Sequence, residues 1–176
     1  IAPDLHHDDL VAIVEACVEA GVSGIIASNT TLARPDHLDG VHAGESGGLS
    51  GAPLFEAATA ILADVARLSD RRLGLIGAGG VVNGWQAYAK ILVGADLVQL
   101  YSGLALEGPH LPGLILHQLA AMMDADGITA SHQIKGQIPD PVKAIKYAKG
   151  LCEKILEQEA KARLAAILDR GAFDWF

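Results

Sequence analysis

Leu73-Gly74-Leu75-Ile76-Gly77-Ala78-Gly79-Gly80-Val81 is an apolar run of strand length that passes straight into glycines. The segment after it, from Asn83 through Trp85, Tyr88, Ala89 and Leu92 to Gly94, has helical spacing, with Asn83 as the expected cap and Gly94 as the expected stop. The next unit repeats the plan. Leu97-Val98-Gln99-Leu100 ends in Tyr101-Ser102-Gly103, and Leu111, Leu114, Ile115, Leu119 and Met122 then mark another helix. Two consecutive strand ends with bare backbone N–H groups can together cradle one phosphate. In a (β/α)8 barrel such a grip sits after strands 7 and 8, so residues 73 to 123 read as the last quarter of a barrel.

Upstream the pattern continues. Leu10, Ile13, Val14, Cys17 and Val18 share one helix face, with Asp8 or Asp9 as the expected cap and Gly21 as the expected left-handed stop. Residues 22 to 27 predict a short buried strand that ends in Ser28-Asn29-Thr30-Thr31. Polar side chains at a strand's C-terminal end are where barrel chemistry is found. Ile1-Ala2-Pro3-Asp4 reads as the exit of one more strand, since Pro is tolerated there and not in a strand's middle. Beginning at Ile1 rather than Met, the chain is expected to start mid-element. Residues 32 to 53 form a long loop with Arg34, Asp36, His37, His42, Glu45 and the glycine-dense Ser46-Gly47-Gly48-Leu49-Ser50-Gly51, a length that is usually functional or disordered. Pro53 then opens a helix whose face is Leu54, Ala57, Ala58, Ile61, Leu62, Val65 and Leu68. About four βα units predict an α/β fold, either the C-terminal half of a parallel (β/α) barrel or a small doubly wound sheet, and periodicity alone does not choose.

Composition narrows the function classes. At 176 residues, with 51% hydrophobic residues, 20 Gly and 19% charged residues, the chain can bury a core but is short of the ~250 residues of a complete barrel. A net charge of −8 argues against a nucleic-acid surface, which needs a basic face. Cys17 and Cys152 lie far apart among apolar helical neighbours and read as buried, reduced thiols. There is no metal-ligand spacing, signal peptide or membrane-length apolar run. The seven histidines share no spacing and read as solvated or packed. Trp85 and Tyr88 read as core.

The character of the chain changes after Met123. Residues 1 to 123 carry five Lys and Arg against 13 Asp and Glu, a balance of −8, whereas residues 124 to 176 carry eight of each. After an Asp126-Gly127 turn, Pro139-Asp140-Pro141 opens a Lys/Glu-rich helical tail to Arg170, with Ile145, Ala148, Cys152, Ile155 and Ala162 on one possible stripe. A surface helix on the barrel wall and a partner-binding arm are the two readings of this tail.

Five motifs together resemble a family: Ile1-Ala2-Pro3-Asp4-Leu5, Ser28-Asn29-Thr30-Thr31, Gly47-Gly48-Leu49-Ser50-Gly51, Ile76-Gly77-Ala78-Gly79-Gly80-Val81 and Val98-Gln99-Leu100-Tyr101-Ser102-Gly103. In this order and spacing, residues 1 to about 123 look like the C-terminal half of a class 2, quinone-dependent dihydroorotate dehydrogenase. The resemblance implies an oxidoreductase of pyrimidine biosynthesis, a flavoprotein that uses FMN to oxidise dihydroorotate to orotate and passes electrons to a quinone. By position, Ser28, Gly51, Gly80, Tyr101 and Ser102 match cofactor-binding residues, and Asn29 and Thr30 match substrate-binding residues. An Asn offers both donor and acceptor, which suits an imide-like ring. Plainer readings stand beside these: a tight strand-to-helix turn for the glycines, a capping cluster for residues 28 to 30, and a packed aromatic for Tyr101.

The resemblance also implies what these residues lack. The family's general base, a Ser, and the Lys before Ile-Ala-Pro-Asp would both lie upstream of Ile1, as would the helices that dock on the membrane, so this segment by itself is expected to be inactive. Residues 132 to 176 are not expected to match the family. A half barrel needs cover for its strand edges, from a complementing half barrel, a homodimer or the helical tail. Membrane association would be peripheral, on the cytoplasmic side of the inner membrane in bacteria or at the mitochondrial inner membrane in eukaryotes. The alternatives are another FMN barrel oxidoreductase acting on a pyrimidine and a non-catalytic flavin-binding or assembly module.

Overall fold

A computed structural model describes residues 1 to 35, 38 and 43 to 170. Asp36, His37 and His42 of the long loop lie outside the described residues. The elements are α1 (His7–Glu19), β1 (Gly24–Ala27), a 3-10 turn (Ala52–Leu54) leading into α2 (Phe55–Ser69), β2 (Gly74–Ala78), α3 (Gly84–Val93), β3 (Leu97–Gln99), α4 (Ser102–Glu107), α5 (Leu111–Ala125) and α6 (Pro141–Arg170).

The three strands form one parallel sheet in the order β1-β2-β3, with Ile26 opposite Ile76 and Ile76 opposite Leu97. Side chains alternate across a strand, so Ile25, Ala27, Leu75 and Gly77 share the buried face. Among the described residues, helices cover only that face: α2 lies on β1 and β2, and α3 lies on α2 and β3. The opposite face stays bare, with Ile26 45% and Leu97 62% exposed. A doubly wound sheet carries helices on both faces, whereas a barrel carries them outside only. The arrangement is therefore a segment of barrel wall, inner side uncovered.

Local chemistry explains most boundaries. Asn83 caps α3 by accepting from the Gln86 amide at 3.1 Å, and Gly94 at φ +132° ends it. Gly21 at φ +67° follows α1. The expected cap of α1 is different, however: His6 is the N-cap and makes no side-chain bond, while Asp8 and Asp9 lie in the first turn, where their charge faces the positive end of the helix dipole.

Among the described residues three strands, not four, are formed. Residues 1 to 4 make no strand, and only Ile1 pairs alongside β1. Its amine donates to Ile26 O at 3.0 Å and its carbonyl accepts from the Asn29 amide at 2.7 Å. β3 ends at Gln99 rather than Tyr101 because the chain turns there into α4, a short helix that apolar spacing does not announce.

The tail joins the same core. Ile134, Ala144 and Ala148 are buried in one cluster with Tyr88 and Leu92, and the amides of Gly136 and Ile138 donate to Ile91 O and Leu92 O, both at 3.1 Å. Asp126 accepts from the hydroxyls of Tyr88 and Tyr147, and Lys135 pairs with Asp96. Ile145, Cys152 and Ile155 reach the core, but Ala162 is exposed. At ~1.5 Å per residue, the 30-residue α6 outruns the 10-residue α3 it crosses. Cys17 and Cys152 are free and only half-buried. Among the described residues no helix is long and apolar enough to cross a membrane.

Candidate functional site

A cleft of about 290 Å3 opens at the C-terminal end of the three strands. Ser28, Asn29, Thr30, Gly51, Gly80, Tyr101 and Ser102, the seven residues singled out in the sequence, all line it. They arrive on four separate stretches: the exits of β1, β2 and β3, and the end of the long loop.

The exit of β1 is held from below. The Ser28 amide continues the ladder to Ala78 O at 3.2 Å, and the Ser28 hydroxyl, 7% exposed, donates to Asn29 O at 2.9 Å. Asn29 Oδ1 accepts from the Thr30 amide at 2.8 Å, so its side-chain NH2 is left to meet a ligand. Thr31 exchanges backbone bonds with Leu49 at 2.7 and 3.1 Å, which closes the base of the long loop, and its hydroxyl donates to Asp4. Ser50 then receives the Ser102 hydroxyl at 2.9 Å and ties the long loop to the exit of β3.

The glycines do more than one job. Gly51 adopts φ +80° and ψ −162°, a region essentially reserved for glycine. The space above it is open, since a Cβ there would meet only Ser102 Cβ at 3.8 Å. Gly80, at φ +74°, is different: a Cβ would lie 2.5 Å from the N, Cα and Cβ of Phe55. Gly103 is likewise closed by Val81 O, 2.6 Å from where its Cβ would stand. Glycine is needed at 80 because the loop packs on the start of α2, at 103 because the first turn of α4 packs on the Val81 backbone, and at 51 because the backbone must turn beside an open space. The sequence offered ligand approach or a tight strand-to-helix turn for Gly80, and its Cβ side is closed by Phe55 at the start of α2.

Several residues of that packing line the cleft with amides that are not paired. Among the described residues, the N–H groups of Gly79, Gly80 and Val81 donate to no protein acceptor, although Gly80 and Val81 are buried. Ser102 and Gly103 add the first-turn amides of α4, which helix geometry leaves open. Buried amides need partners. A cluster of donors with no carboxylate among its lining residues fits an anion with several oxygens, such as a phosphate.

Sequence reading missed three residues. Ser50 and Gln99 line the cleft and stood inside motifs already quoted, but a hydroxyl or amide in a loop carries no spacing signal. Lys90 is fully buried behind the cleft, and burial pushes its ammonium down to about 7. Nothing in a helical stretch distinguishes a buried lysine from a surface one.

Tyr101 is 83% exposed and its side chain does not pack, contrary to the plainer reading. Tyr101→Ala is expected to change stability by less than about 0.5 kcal/mol and phosphate-ester affinity by less than twofold. Thermal melts and a binding titration check this, and a loss above tenfold would return the role to the ring.

Comparison with known proteins gives a consistent picture. The sequence profile of the family described as dihydroorotate dehydrogenase matches residues 1 to 123. The dihydroorotate dehydrogenase (quinone) of Parvibaculum lavamentivorans is 53% identical over 127 residues, 72% of this chain and 36% of that protein. The protein of the same name from Allorhizobium ampelinum is 44% identical over 146 residues, 83% of this chain and 40% of that protein. A match of 146 residues within 176 necessarily runs past residue 132, so likeness to that relative continues into the tail. The crystal structure of ligand-free DHODH from Eimeria tenella superposes with a TM-score of 0.75 at 31% identity, covering 78% of this chain and 38% of that one. The chain thus spans a little over a third of the length of the relatives it matches.

Proposed function

Because the chain belongs to the dihydroorotate dehydrogenase family, we propose that its cleft is the phosphate and ring side of an FMN site and that it takes part in oxidising dihydroorotate to orotate with a quinone as acceptor. The observation that carries this reading is the convergence of seven residues from four stretches on one cleft, with buried amides that lack protein partners. In this reading the amides of residues 79 to 81 and 102 to 103 hold the FMN phosphate. Gly51 lets the backbone turn without filling the ring side, and the buried Ser28 hydroxyl accepts a ring donor. Asn29 and Thr30 hold the pyrimidine, with the Asn29 NH2 facing a ring carbonyl. FMN, when bound, supplies the hydride acceptor.

Among the described residues, those lining the cleft include no carboxylate, histidine, lysine or cysteine. On the family resemblance we assign the general base to another part of the full-length enzyme. Residues 1 to 123 furnish barrel wall, and residues 124 to 170 brace α3 from outside. Association with a membrane and the quinone contact belong, on this proposal, to the full-length enzyme at the cytoplasmic face of a bacterial inner membrane. The bare row of Ile26, Ile76 and Leu97 makes a complementing half barrel the expected cover.

The test separates binding from turnover. Titrated with FMN, the chain is expected to bind and perturb the flavin absorption band, with the band shifting further on addition of orotate. Turnover of dihydroorotate with a dye acceptor is expected to be absent. A chain that never binds FMN overturns the cofactor assignment; normal turnover overturns the placement of the base. Asn29→Ala should remove the orotate-dependent shift by at least tenfold in orotate affinity while FMN affinity changes less than threefold.

A further inference from the structure

Lys90 projects from α3 into the layer between α2 and the sheet, with no solvent exposure. Its stem lies over Gly77, where an added Cβ would meet Lys90 Cδ at 3.0 Å. Its Nζ donates to Thr59 Oγ1 at 3.3 Å and stands 5.3 Å from the centre of the Phe55 ring. Thr59 in turn donates to Phe55 O at 2.7 Å. Both neighbours of the amine therefore bear on Phe55, and Phe55 is the residue against which Gly80 is packed. A buried ammonium with one neutral acceptor is costly, and an apolar side chain would fill the same space without that cost.

We propose that Lys90 is a positioning residue for the phosphate grip: through Thr59 and the Phe55 ring, its ammonium holds the start of α2 against Gly80, so the loop binds a phosphate dianion better when Lys90 is charged. The proposal rests on the FMN reading above and adds to it a residue and a pH dependence. Among the described residues, no charged group in the packed elements competes. Glu56 is exposed, Asp64 and Arg67 of α2 pair with each other at the surface, Asp96 pairs with Lys135, and Tyr88 and Tyr147 converge on Asp126. Burial is accordingly what lowers the Lys90 ammonium to about 7. By linkage, a bound dianion and a charged Lys90 stabilise each other. Affinity then falls as pH rises above 7, in a range where a phosphate monoester, with a second pKa of about 6, is already dianionic.

The test is FMN binding at pH 7, 8 and 9 by the wild type, Lys90→Met and Phe55→Leu. Wild-type affinity is expected to fall at least threefold from pH 7 to 9, Lys90→Met to show no slope, and Phe55→Leu to show a reduced one. A slope in Lys90→Met equal to the wild type's, or none in the wild type, overturns the proposal, and an undiminished slope in Phe55→Leu overturns the route through the ring. A second readout needs no ligand. The Trp85 ring stands edge-on to Phe55 at 5.3 Å, and Trp85 is the sole tryptophan in a Trp175→Phe background. Its emission is expected to titrate with a midpoint near 7, and a flat response between pH 6 and 9 overturns the proposal even if Lys90→Met fails to fold. Absence of FMN binding by the wild type at every pH overturns the FMN reading and this proposal with it, whereas binding with a pH profile independent of Lys90 overturns this proposal alone.

Discussion

Gly80→Ala is expected to weaken FMN binding at least tenfold and to destabilise the fold by about 2–5 kcal/mol. Two costs add. The backbone at φ +74° is left-handed, which costs an L-residue roughly 1–2 kcal/mol. The new methyl would also stand 2.5 Å from the backbone of Phe55, so the loop or the start of α2 must move, and overpacking of this kind costs about 1–3 kcal/mol. Whichever side yields, the amides of residues 79 to 81 leave the positions in which they converge. Gly150→Ala is the control. Gly150 lies inside α6 with nothing within 4 Å of its Cβ position and no positive φ, so alanine there should stabilise by about 1 kcal/mol. Denaturant melts and FMN titrations of both variants check the pair. Equal, small effects at 80 and 150 would mean that the loop tolerates a side chain and that Gly80 is only a turn residue.

Stability is expected to rise with pH between 7 and 8.5, and Lys90→Met to abolish the rise. Lys90 has an ordinary value of 10.5 that burial lowers to about 7. Between those values the unfolded chain binds a proton at Lys90 that the folded chain has largely lost, so unfolding becomes less favourable as pH increases. At about 1.4 kcal/mol per pH unit for one full proton, the gain from pH 7 to 8.5 is about 1–2 kcal/mol, or roughly 3 to 8 °C in Tm for a chain of this size. The other shifted groups act elsewhere. Tyr88 is raised by burial and by Asp126, Tyr147 by its bond to Asp126 and by burial, and Cys152 by burial; the stability they confer is lost only at higher pH, as each titrates in the unfolded chain. Asp96 is lowered by its bonds to Lys135 and the Leu75 amide and acts in acid. Methionine nearly conserves the volume and removes the charge, so Lys90→Met should be the more stable protein at pH 7. A wild-type Tm that falls from pH 7 to 8.5, or a rise that persists in Lys90→Met, would contradict the burial assigned to this amine.

A residue that lowers stability while bearing on a binding loop is what a function-stability compromise looks like. Lys90 belongs to that pattern, and so does Gly51, whose backbone lies in a glycine-only region beside open space. By contrast Asn83, Gly94 and Gly21 are local devices that end or begin helices and were legible from residue type alone.

The seven site residues that line the cleft were singled out by their likeness to family motifs, and each sits at a strand exit or at the end of the long loop. Ser50, Gln99 and Lys90 were not, because a hydroxyl, an amide or an ammonium acquires its meaning from what faces it. The α1 cap, the short α4 and the failure of residues 1 to 4 to form a strand escaped the same way. Each was decided by neighbours rather than by propensity.

The order of residues by itself determined the run of strand and helix, the glycine loops after β2 and β3, and the polar cluster after β1, since these follow from periodicity and from the backbone freedom of glycine. Only the tertiary structure decided that the helices lie on one face of the sheet, that Gly80 is pressed against Phe55 and that Lys90 stands charged or neutral behind it. Those outcomes depend on which surfaces meet and on how completely water is excluded between them, and neither is a property of any one stretch of chain.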